Sequence, residues 1–328
     1  MPFTACRVFQ ETGAIVPRLV QMEVDDLTPG DVVIRAEWSG INFKDALAVT
    51  GRGKILKRYP LNAGVDVAGR VEASSDPRFD PGETARVNGM GLGESMDGGF
   101  AEVVRVPGDA VVALPRGLTA FEAMTLGTAG FSAALVIHRM EVNGQKPELG
   151  PIVVTGASGG VGSAAICMLA ARGYRVIAVT GRSEHESYLR QLGAHEVTSP
   201  GALNLGARPL ETARFGGVID TVGGALLAGL LRHVQSWGSV GAIGNAGGAA
   251  FDATVFPFIL RGVSLIGASS TNCPMGLRAK IWARLGLDLK PRYLQQIAGR
   301  VVPLAGVIEA CALVMERKAR GRIVVDCR

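Results

Sequence analysis

The middle of the chain shows a strand, turn and helix pattern. The β-branched run Ile152 to Val154 predicts a short buried strand, and the Ala-rich stretch after it predicts a helix that ends at Gly173. Between them lies ASGGVG, residues 157–162. Glycines there let the backbone approach a pyrophosphate, and the helix N-terminus offers N–H groups to the phosphate charge. The pattern predicts a dinucleotide-binding βαβ unit, although Ala157 stands where the strict fingerprint has its first glycine.

More apolar segments follow this unit at regular intervals. The run YRVIAVTGR, residues 174–182, predicts the second strand at the βαβ spacing. Later apolar segments end in small residues, as strand ends that face a ligand often do. These segments cover residues 216–224, 238–248 and 262–270. We expect a doubly wound parallel sheet, a Rossmann domain, over residues 120–289.

The first part of the chain has a different pattern. Short apolar or alternating runs such as DVVIRAEWSG, residues 31–40, are separated by Pro and Gly turns and predict a compact β-rich domain. The chain finishes on GRIVVDC, residues 321–327, a strand that we expect to return to that domain. The fold class predicted is α/β, with a β-rich domain over 1–119 and 290–328.

The end of the predicted second strand bears on the cofactor. NAD-binding chains carry Asp or Glu there for the ribose hydroxyl, whereas this chain has Thr180, Gly181, Arg182 and Ser183. Small polar residues remove repulsion against a 2′-phosphate, and the planar Arg182 cation suits it. The segment therefore favours NADPH over NADH. The alternatives are that Arg182 is a solvated loop residue or pairs with Glu184.

Composition narrows the protein class. The 328 residues include 48% hydrophobic and 19% charged residues, which is typical of a folded globular protein. The formal charge of +5 is spread along the chain, and no nucleic-acid module accompanies it. The five cysteines are scattered without metal-ligand spacing. We expect a reduced, cytoplasmic protein that acts on small molecules and binds neither nucleic acid nor a membrane.

Two segments leave alternatives open. The uncharged run from Pro151 to Ala171 is long enough to span a bilayer, but its glycines predict strand, turn and helix instead. The segment GRGKILKRY, residues 51–59, holds Arg52, Lys54, Lys57 and Arg58. It is either a solvated basic loop or a site for an anionic small molecule.

The order of motifs resembles the medium-chain dehydrogenase/reductase superfamily over essentially the whole chain. In that family a GroES-like catalytic domain is interrupted by a Rossmann domain. The resemblance is narrower to the zinc-free branch of acrylyl-CoA reductases and quinone oxidoreductase-like proteins. It rests on ordered segments: NFKDALAVTG, PLNAGVDVAG, SSDPRF, LGTAGFSAALVI, VVTGASGGVGS, AVTGR, IDTVGG, PFILRGVSLIG and GRIVV.

The same resemblance predicts that no metal is bound. Zinc-dependent members have a cysteine ligand where this chain has Asn42, and a Gly-His-Glu where it has Gly64, Val65 and Asp66. Asn and Val do not replace thiolate and imidazole in a tetrahedral zinc site. Without a Lewis acid, hydride addition to an activated C=C bond is easier to support than alcohol oxidation.

The resemblance therefore implies an NADPH-dependent reductase of acrylyl-CoA or a related enoyl thioester or enone. A quinone is the nearest alternative substrate. Acrylyl-CoA reductases carry tryptophans where this chain has Met90 and Asp97, so the substrate is left open between these classes. A protein of another class, a sensor or partner that binds NADPH without turnover, is a further alternative. The family also implies a homodimer through the edge strand of the Rossmann sheet.

Site residues follow from the resemblance, position by position. Phe43 stands where relatives have Tyr and is expected beside the nicotinamide. The other implied nucleotide contacts are Thr128, Ser158, Gly159, Gly160, Val161, Gly181, Arg182, Ser183, Asn245, Ile259 and Ser270. For two of these a structural role is equally open, since Ile259 also suits a core position and Ser270 a turn.

The stretch SGINFKDAL, residues 39–47, contains the candidate catalytic residue Lys44. Adjacent opposite charges usually form a surface ion pair, which is the plain interpretation of Lys44 and Asp45. The resemblance instead places them at the catalytic site. Asp45 is expected either to hold Lys44 or to cap a helix that begins at Ala46.

Overall fold

Two units of the chain fold around separate cores in the computed structural model, which describes all 328 residues. The strands are, in chain order, β1 Phe3–Glu11, β2 Ala14–Met22, β3 Val32–Ile41, β4 Leu61–Asn62, β5 Asp66–Ser74, β6 Thr84–Asn88, β7 Val103–Val106, β8 Val112–Ala113, β9 Ile152–Thr155, β10 Val176–Val179, β11 Glu196–Thr198, β12 Phe215–Asp220, β13 Val234–Ala242, β14 Ser264–Gly267, β15 Arg300–Pro303 and β16 Ile323–Asp326. The helices are α1 Phe43–Val49, α2 Ala120–Val142, α3 Gly160–Ala171, α4 Glu186–Gln191, α5 Gly224–Leu231, α6 Phe256–Arg261, α7 Met275–Leu285, α8 Leu294–Ile297 and α9 Val307–Met315.

The first unit comprises residues 1–128, 271–286 and 294–328 and is rich in β-structure. One sheet has the order β2-β1-β4, and a larger one has the order β15-β16-β3-β5-β6-β8, with β7 also paired to β3. Alternating apolar residues of these strands, including Val8, Ile34 and Val67, form its buried core. The expected β-rich, GroES-like architecture is confirmed.

Strand register in the larger sheet brings distant residues together. Strand β16 runs antiparallel to β3 with Ile323 opposite Ile41, so the residues that flank this pair, Arg322 and Asn42, become neighbours. Strand β5 runs antiparallel to β6 with Asp66 opposite Asn88. Hydrogen-bonded pairing thus gathers polar side chains at one end of the sheet.

The second unit comprises residues 129–270 and 287–293. Its six strands are all parallel and follow the order β11-β10-β9-β12-β13-β14. This is the doubly wound order of a dinucleotide-binding sheet, in which the ligand lies at the carboxyl ends of the strands. The predicted Rossmann fold is confirmed.

The extents of the two units differ from the boundaries expected at 119/120 and 289/290. The first unit continues through Thr128 and also includes residues 271–286. Helix α7 belongs there because its Trp282 ring lies 3.6 Å from the Arg86 guanidinium and its Arg278 donates to the Asn88 carbonyl at 2.9 Å. Sequence pattern alone carries no sign of these contacts.

Helix α2 is the one helix long and apolar enough to cross a membrane, but 83% of its apolar window is buried within the protein. It is therefore a core helix by its surroundings. The run from Pro151 to Ala171 forms β9, a turn and α3, as its glycines predicted. Gly127 interrupts α2 with φ 50° and ψ −154°, a conformation that favours glycine.

Candidate active site and cofactor-binding loop

Asp66 is the centre of a buried polar network in the first unit. Its carboxylate is fully buried and accepts hydrogen bonds from the Asn42 amide at 2.7 Å and the Asn88 amide at 2.6 Å. Thr128 donates twice, from its backbone N–H at 2.8 Å and from its hydroxyl at 2.6 Å. A buried carboxylate is tolerated only with such a set of donors.

Arg322 supplies the positive charge of this network. Its guanidinium is 3% exposed and lies 3.5 Å from the Asp66 carboxylate. It also donates to the Asn42 side-chain oxygen at 2.9 Å and to the Ile41 carbonyl at 2.7 Å. Because Arg322 donates to the Asn42 oxygen, the Asn42 NH₂ group is directed toward the acids.

Two glycines leave the space that this pair occupies. A Cβ atom on Gly127 would lie 2.5 Å from an Asp66 carboxylate oxygen and 2.6 Å from the Arg322 guanidinium. A Cβ atom on Gly40 would lie 2.5 Å from the same guanidinium. Neither position tolerates a side chain without displacement of the buried charges.

Asp45 is the second buried acid, with 2% exposure. Helix α1 begins at Phe43 and not at Ala46, and its N-cap is Asn42. Asp45 is thus the third helical residue, and its carboxylate accepts the Asn42 backbone N–H at 2.8 Å and the Val65 backbone N–H at 2.9 Å. The expected helix start at Ala46 was wrong, because α1 begins three residues earlier, but Asp45 does cap the helix as the N3 member of a capping box with Asn42.

Burial governs the ionisation of these groups. Desolvation raises the pKa of Asp45 from its usual 3.8 to about 7, and the nearby Asp66 charge adds to the effect. Desolvation also lowers the pKa of the Arg322 guanidinium, against the attraction of Asp66. With a pKa of about 7, the Asp45 carboxyl group is partly protonated near neutral pH.

Lys44 pairs with a different acid from the one expected. Its ammonium group lies 2.8 Å from the Glu94 carboxylate and 3.3 Å from the Thr271 hydroxyl. The suggested Lys44–Asp45 pair is therefore wrong, because neighbouring helical residues point to different sides. Lys44 is 38% exposed, and Phe43 beside it is 43% exposed.

The residues at the zinc-ligand positions do not fit a metal. Asn42 directs its amide hydrogens toward carboxylates, Val65 is apolar, and the Asp66 oxygens are already occupied by donors. No group of three His, Cys, Asp or Glu side chains in the protein has metal-ligand geometry. Tetrahedral zinc requires thiolate, imidazole or carboxylate ligands, so the local chemistry disfavours it.

The second unit contains the glycine-rich loop between β9 and α3. Helix α3 begins at Gly160 with Gly159 as its N-cap, and the first amides of a helix have no intrahelical acceptor. Gly162 allows close packing of the turn, since a Cβ atom there would lie 2.5 Å from the Gly156 carbonyl oxygen. The backbone N–H groups of Gly160 and Val161 can therefore donate hydrogen bonds to a pyrophosphate.

Arg182 lies next to this loop. Its guanidinium donates to the Ser158 hydroxyl at 2.9 Å, and its backbone N–H donates to the Thr180 hydroxyl at 3.1 Å. The hydroxyl oxygens of Ser158 and Thr180 are 3.3 Å apart. The structure thus brings three sequence-predicted positions together, Ser158, Gly181 and Arg182, with Ser183 beginning the next turn.

The remaining predicted contacts lie elsewhere on this unit. Asn245 is exposed and follows β13 by three residues, while Ser270 is half-buried and follows β14 by three. Both are therefore at carboxyl ends of sheet strands. Ile259 is 68% exposed on α6, so it is not a core residue. Their nucleotide contacts stay predictions.

Sequence reasoning missed most of the buried network as a functional unit. Asp66 and Asn42 drew attention only as substitutes for zinc ligands, and Arg322 was not singled out. The available signal was the charge of Arg322 and Asp66 within otherwise apolar strand segments. Charges in such segments are rarely buried unless they are paired.

Comparison with known proteins agrees with the two architectures. Residues 28–116 match the alcohol dehydrogenase GroES-like domain family, and residues 160–283 match the zinc-binding dehydrogenase family. The acrylyl-CoA reductase AcuI of Ruegeria pomeroyi is 41% identical, over 97% of this chain and 96% of that protein.

Two solved structures are similar over nearly their whole length. The Bacillus subtilis protein yhfP with NAD bound is 44% identical, with a TM-score of 0.97 and 99% of each chain covered. The yhdH oxidoreductase from Salmonella enterica in complex with NADP is 43% identical, with a TM-score of 0.95, and covers 99% of this chain and 100% of that one. The chain therefore belongs to the medium-chain dehydrogenase/reductase superfamily of NAD(P)H-dependent oxidoreductases, in the branch of acrylyl-CoA reductases and quinone oxidoreductase-like proteins.

Proposed function

We propose that the protein reduces an activated C=C bond with NADPH and without zinc, and that acrylyl-CoA or a related enoyl thioester or enone is its substrate. The observation that carries this proposal is the buried network of Asp66, Arg322, Asn42 and Asp45. Two of its members, Asn42 and Asp66, stand at positions where the family resemblance places zinc-site residues in zinc-dependent relatives. The similarity to an acrylyl-CoA reductase supports the choice of substrate.

The role assigned to this network is to hold Asn42 and the start of helix α1 in a fixed position at the site. Reduced nicotinamide supplies a hydride for the β-carbon of the substrate. Charge that develops on the carbonyl oxygen then needs fixed donors in a water-poor site. Asn42 is the partly exposed end of the network, but its NH₂ group already donates to Asp66 and Asp45, so the donors assigned to that oxygen are backbone N–H groups, a ribose hydroxyl or water. Asp45, with a pKa raised to about 7, is the group whose protonation changes in the working pH range.

For the cofactor, we assign the 2′-phosphate of NADPH to Arg182. The guanidinium lies at the Ser158 hydroxyl of the glycine-rich loop, where strand β10 ends. No Asp or Glu lies among residues 180–183 to repel the phosphate. The proposed pyrophosphate contacts are Gly159, Gly160 and Val161, and Phe43 is assigned to the nicotinamide. Thr128, Gly181, Ser183, Asn245, Ile259 and Ser270 complete the proposed set.

The oligomeric state proposed is a homodimer through β14, in a cytoplasmic protein. Strand β14 is an edge of the six-stranded sheet, and its unpaired backbone groups can pair with a second copy. Leu265 on β14 and Val255 and Leu260 of the neighbouring segment are exposed. Sedimentation of the protein with Leu265→Pro should shift it from dimer to monomer.

The test of function is NADPH oxidation across a panel of acrylyl-CoA, crotonyl-CoA, simple enones and quinones. We expect the highest kcat/KM with an enoyl thioester. A preference for quinones would replace the proposed substrate class with the quinone class. Binding of NADPH without oxidation by any member would instead indicate a sensor or partner protein.

A further inference from the structure

A cavity in the first unit connects helix α1 to the basic segment 51–59. It encloses about 330 Å³ and is lined by Lys44, Lys54, Ile55, Leu56, Lys57 and Glu94. The Lys57 backbone N–H donates to the Glu94 carbonyl at 2.7 Å, which fixes one wall to the other. Small-molecule sites are typically cavities of roughly this size and larger.

The cavity has an excess of positive charge. Three lysines and one acid, Glu94, line it, which gives a formal net charge of +2. Glu94 pairs with Lys44, whereas the side chains of Lys54 and Lys57 are exposed and form no ion pair. A pair of lysines without ion pairs, beside the partly exposed apolar side chain of Ile55, suits an anion attached to an organic group.

The structure divides the basic segment into two parts. Arg58 is directed away from the cavity, with its guanidinium 2.7 Å from the Thr28 hydroxyl and 4.0 Å from Asp97. Arg52 is also absent from the cavity wall. The charges available to a ligand are therefore Lys54 and Lys57, joined by Lys44.

Lys44 links this cavity to the buried network. It directly precedes Asp45 in helix α1 and directly follows Phe43. A ligand that occupies the cavity therefore extends to the helix that carries the proposed active-site residues. The phosphate of NADPH has another partner, since Arg182 lies on the second unit.

We infer that this cavity binds the phosphorylated end of a coenzyme A thioester, with Lys54 and Lys57 against its 3′-phosphate and diphosphate. The inference rests on the proposed function and specifies its substrate class. The nucleotide end of coenzyme A has anionic phosphates that match the lysines of the cavity. Its base can pack against the apolar side chain of Ile55. A simple enone or a quinone leaves the lysines without a partner.

The test compares acrylyl-CoA, acrylyl-3′-dephospho-CoA and acrylyl-pantetheine as substrates. For the unaltered protein, we expect kcat/KM to fall at least about tenfold from the first to the last, with the difference mainly in KM and smaller at high salt. We call the ratio of kcat/KM for acrylyl-CoA to kcat/KM for acrylyl-pantetheine the CoA preference. In Lys54→Ala/Lys57→Ala this preference should fall about tenfold, while KM for NADPH stays the same. The dephospho substrate separates the 3′-phosphate from the diphosphate.

The matched control is Lys146→Ala/Lys280→Ala, which removes the same charge from exposed positions outside the cavity. It should keep the full preference. Equal kcat/KM for the CoA and pantetheine thioesters in the unaltered protein would overturn the inference and leave the proposed function standing. Reduction of none of the thioesters would overturn both. An equal loss of preference in the control variant would also overturn the inference, by showing that overall charge sets it.

Discussion

The two units build their candidate sites in opposite ways. In the first, charged side chains are buried against one another, with Asp66 fully buried and Arg322 at 3% exposure. In the second, a glycine-rich backbone and a partly exposed cation, Arg182, form the site. The first arrangement fixes charge in a water-poor interior, where electrostatic interactions are strong. The second stays accessible, as a site that exchanges its cofactor must.

This comparison predicts different responses to the loss of one charge. Removal of a buried charge leaves its partner without compensation, and removal of an exposed charge mainly weakens a ligand.

Arg322→Met should destabilise the protein by roughly 3–5 kcal/mol, because Asp66 then keeps its buried charge without a cation. The measurement is the urea-induced unfolding of the variant followed by circular dichroism. The matched control is Arg328→Met, which breaks an exposed pair with Asp326 at 2.7 Å. That change should alter the free energy of unfolding by less than about 1 kcal/mol. Equal effects of the two variants would contradict the contrast between the sites.

Asp45 should make stability depend on pH. Its pKa is about 7 in the folded protein against a usual 3.8, so the folded state holds the proton longer than the unfolded state does. Stability contributed by this group is therefore lost as pH rises between about 4 and about 7, by up to about 1.4 kcal/mol per pH unit. Urea midpoints measured across that range should fall for the unaltered protein and fall less steeply for Asp45→Asn. Parallel slopes would show that Asp45 is already ionised at low pH.

Arg182→Ala should weaken NADPH binding and leave NADH binding nearly unchanged. A charge-assisted contact to the phosphate contributes about 1.5–3 kcal/mol, or roughly a 10- to 100-fold change in Kd. Titration calorimetry with both cofactors measures it. Arg190→Ala, at an exposed arginine paired with Glu186, is the control and should change neither Kd. If Arg182→Ala weakened NADPH and NADH binding equally, Arg182 would not be the residue that binds the 2′-phosphate.

Lys44→Met should give the smallest change in stability and a clear change in rate. We expect turnover to fall about tenfold, equivalent to about 1.4 kcal/mol in the barrier. The unfolding midpoint should stay close to that of the unaltered protein, because Lys44 is 38% exposed. Steady-state kinetics beside thermal unfolding measure both quantities. Unchanged turnover would assign Lys44 and Glu94 a purely structural role.

The two sites also differ in how much of each can be predicted from the sequence. The cofactor loop is local, since Ser158 to Val161 and Arg182 belong to one βαβ unit whose strand, turn and helix signals are contiguous. The buried network is assembled from Asn42, Asp66, Thr128 and Arg322, which strand register and the position of helix α2 bring together. The partner of Lys44 was missed for the same reason, because Glu94 lies 50 residues away on a loop. Non-local pairings leave no periodic signal in a single sequence.

The proposed function depends on hydride transfer from NADPH to the β-carbon of an enoyl thioester. The most direct measurement uses NADPH deuterated at the transferred C4 position, with acrylyl-CoA as substrate and mass spectrometry and NMR of the product. The proposed function predicts propionyl-CoA with deuterium on the β-carbon. Oxidation of the cofactor with no deuterium at that carbon, or no oxidation at all, would contradict it.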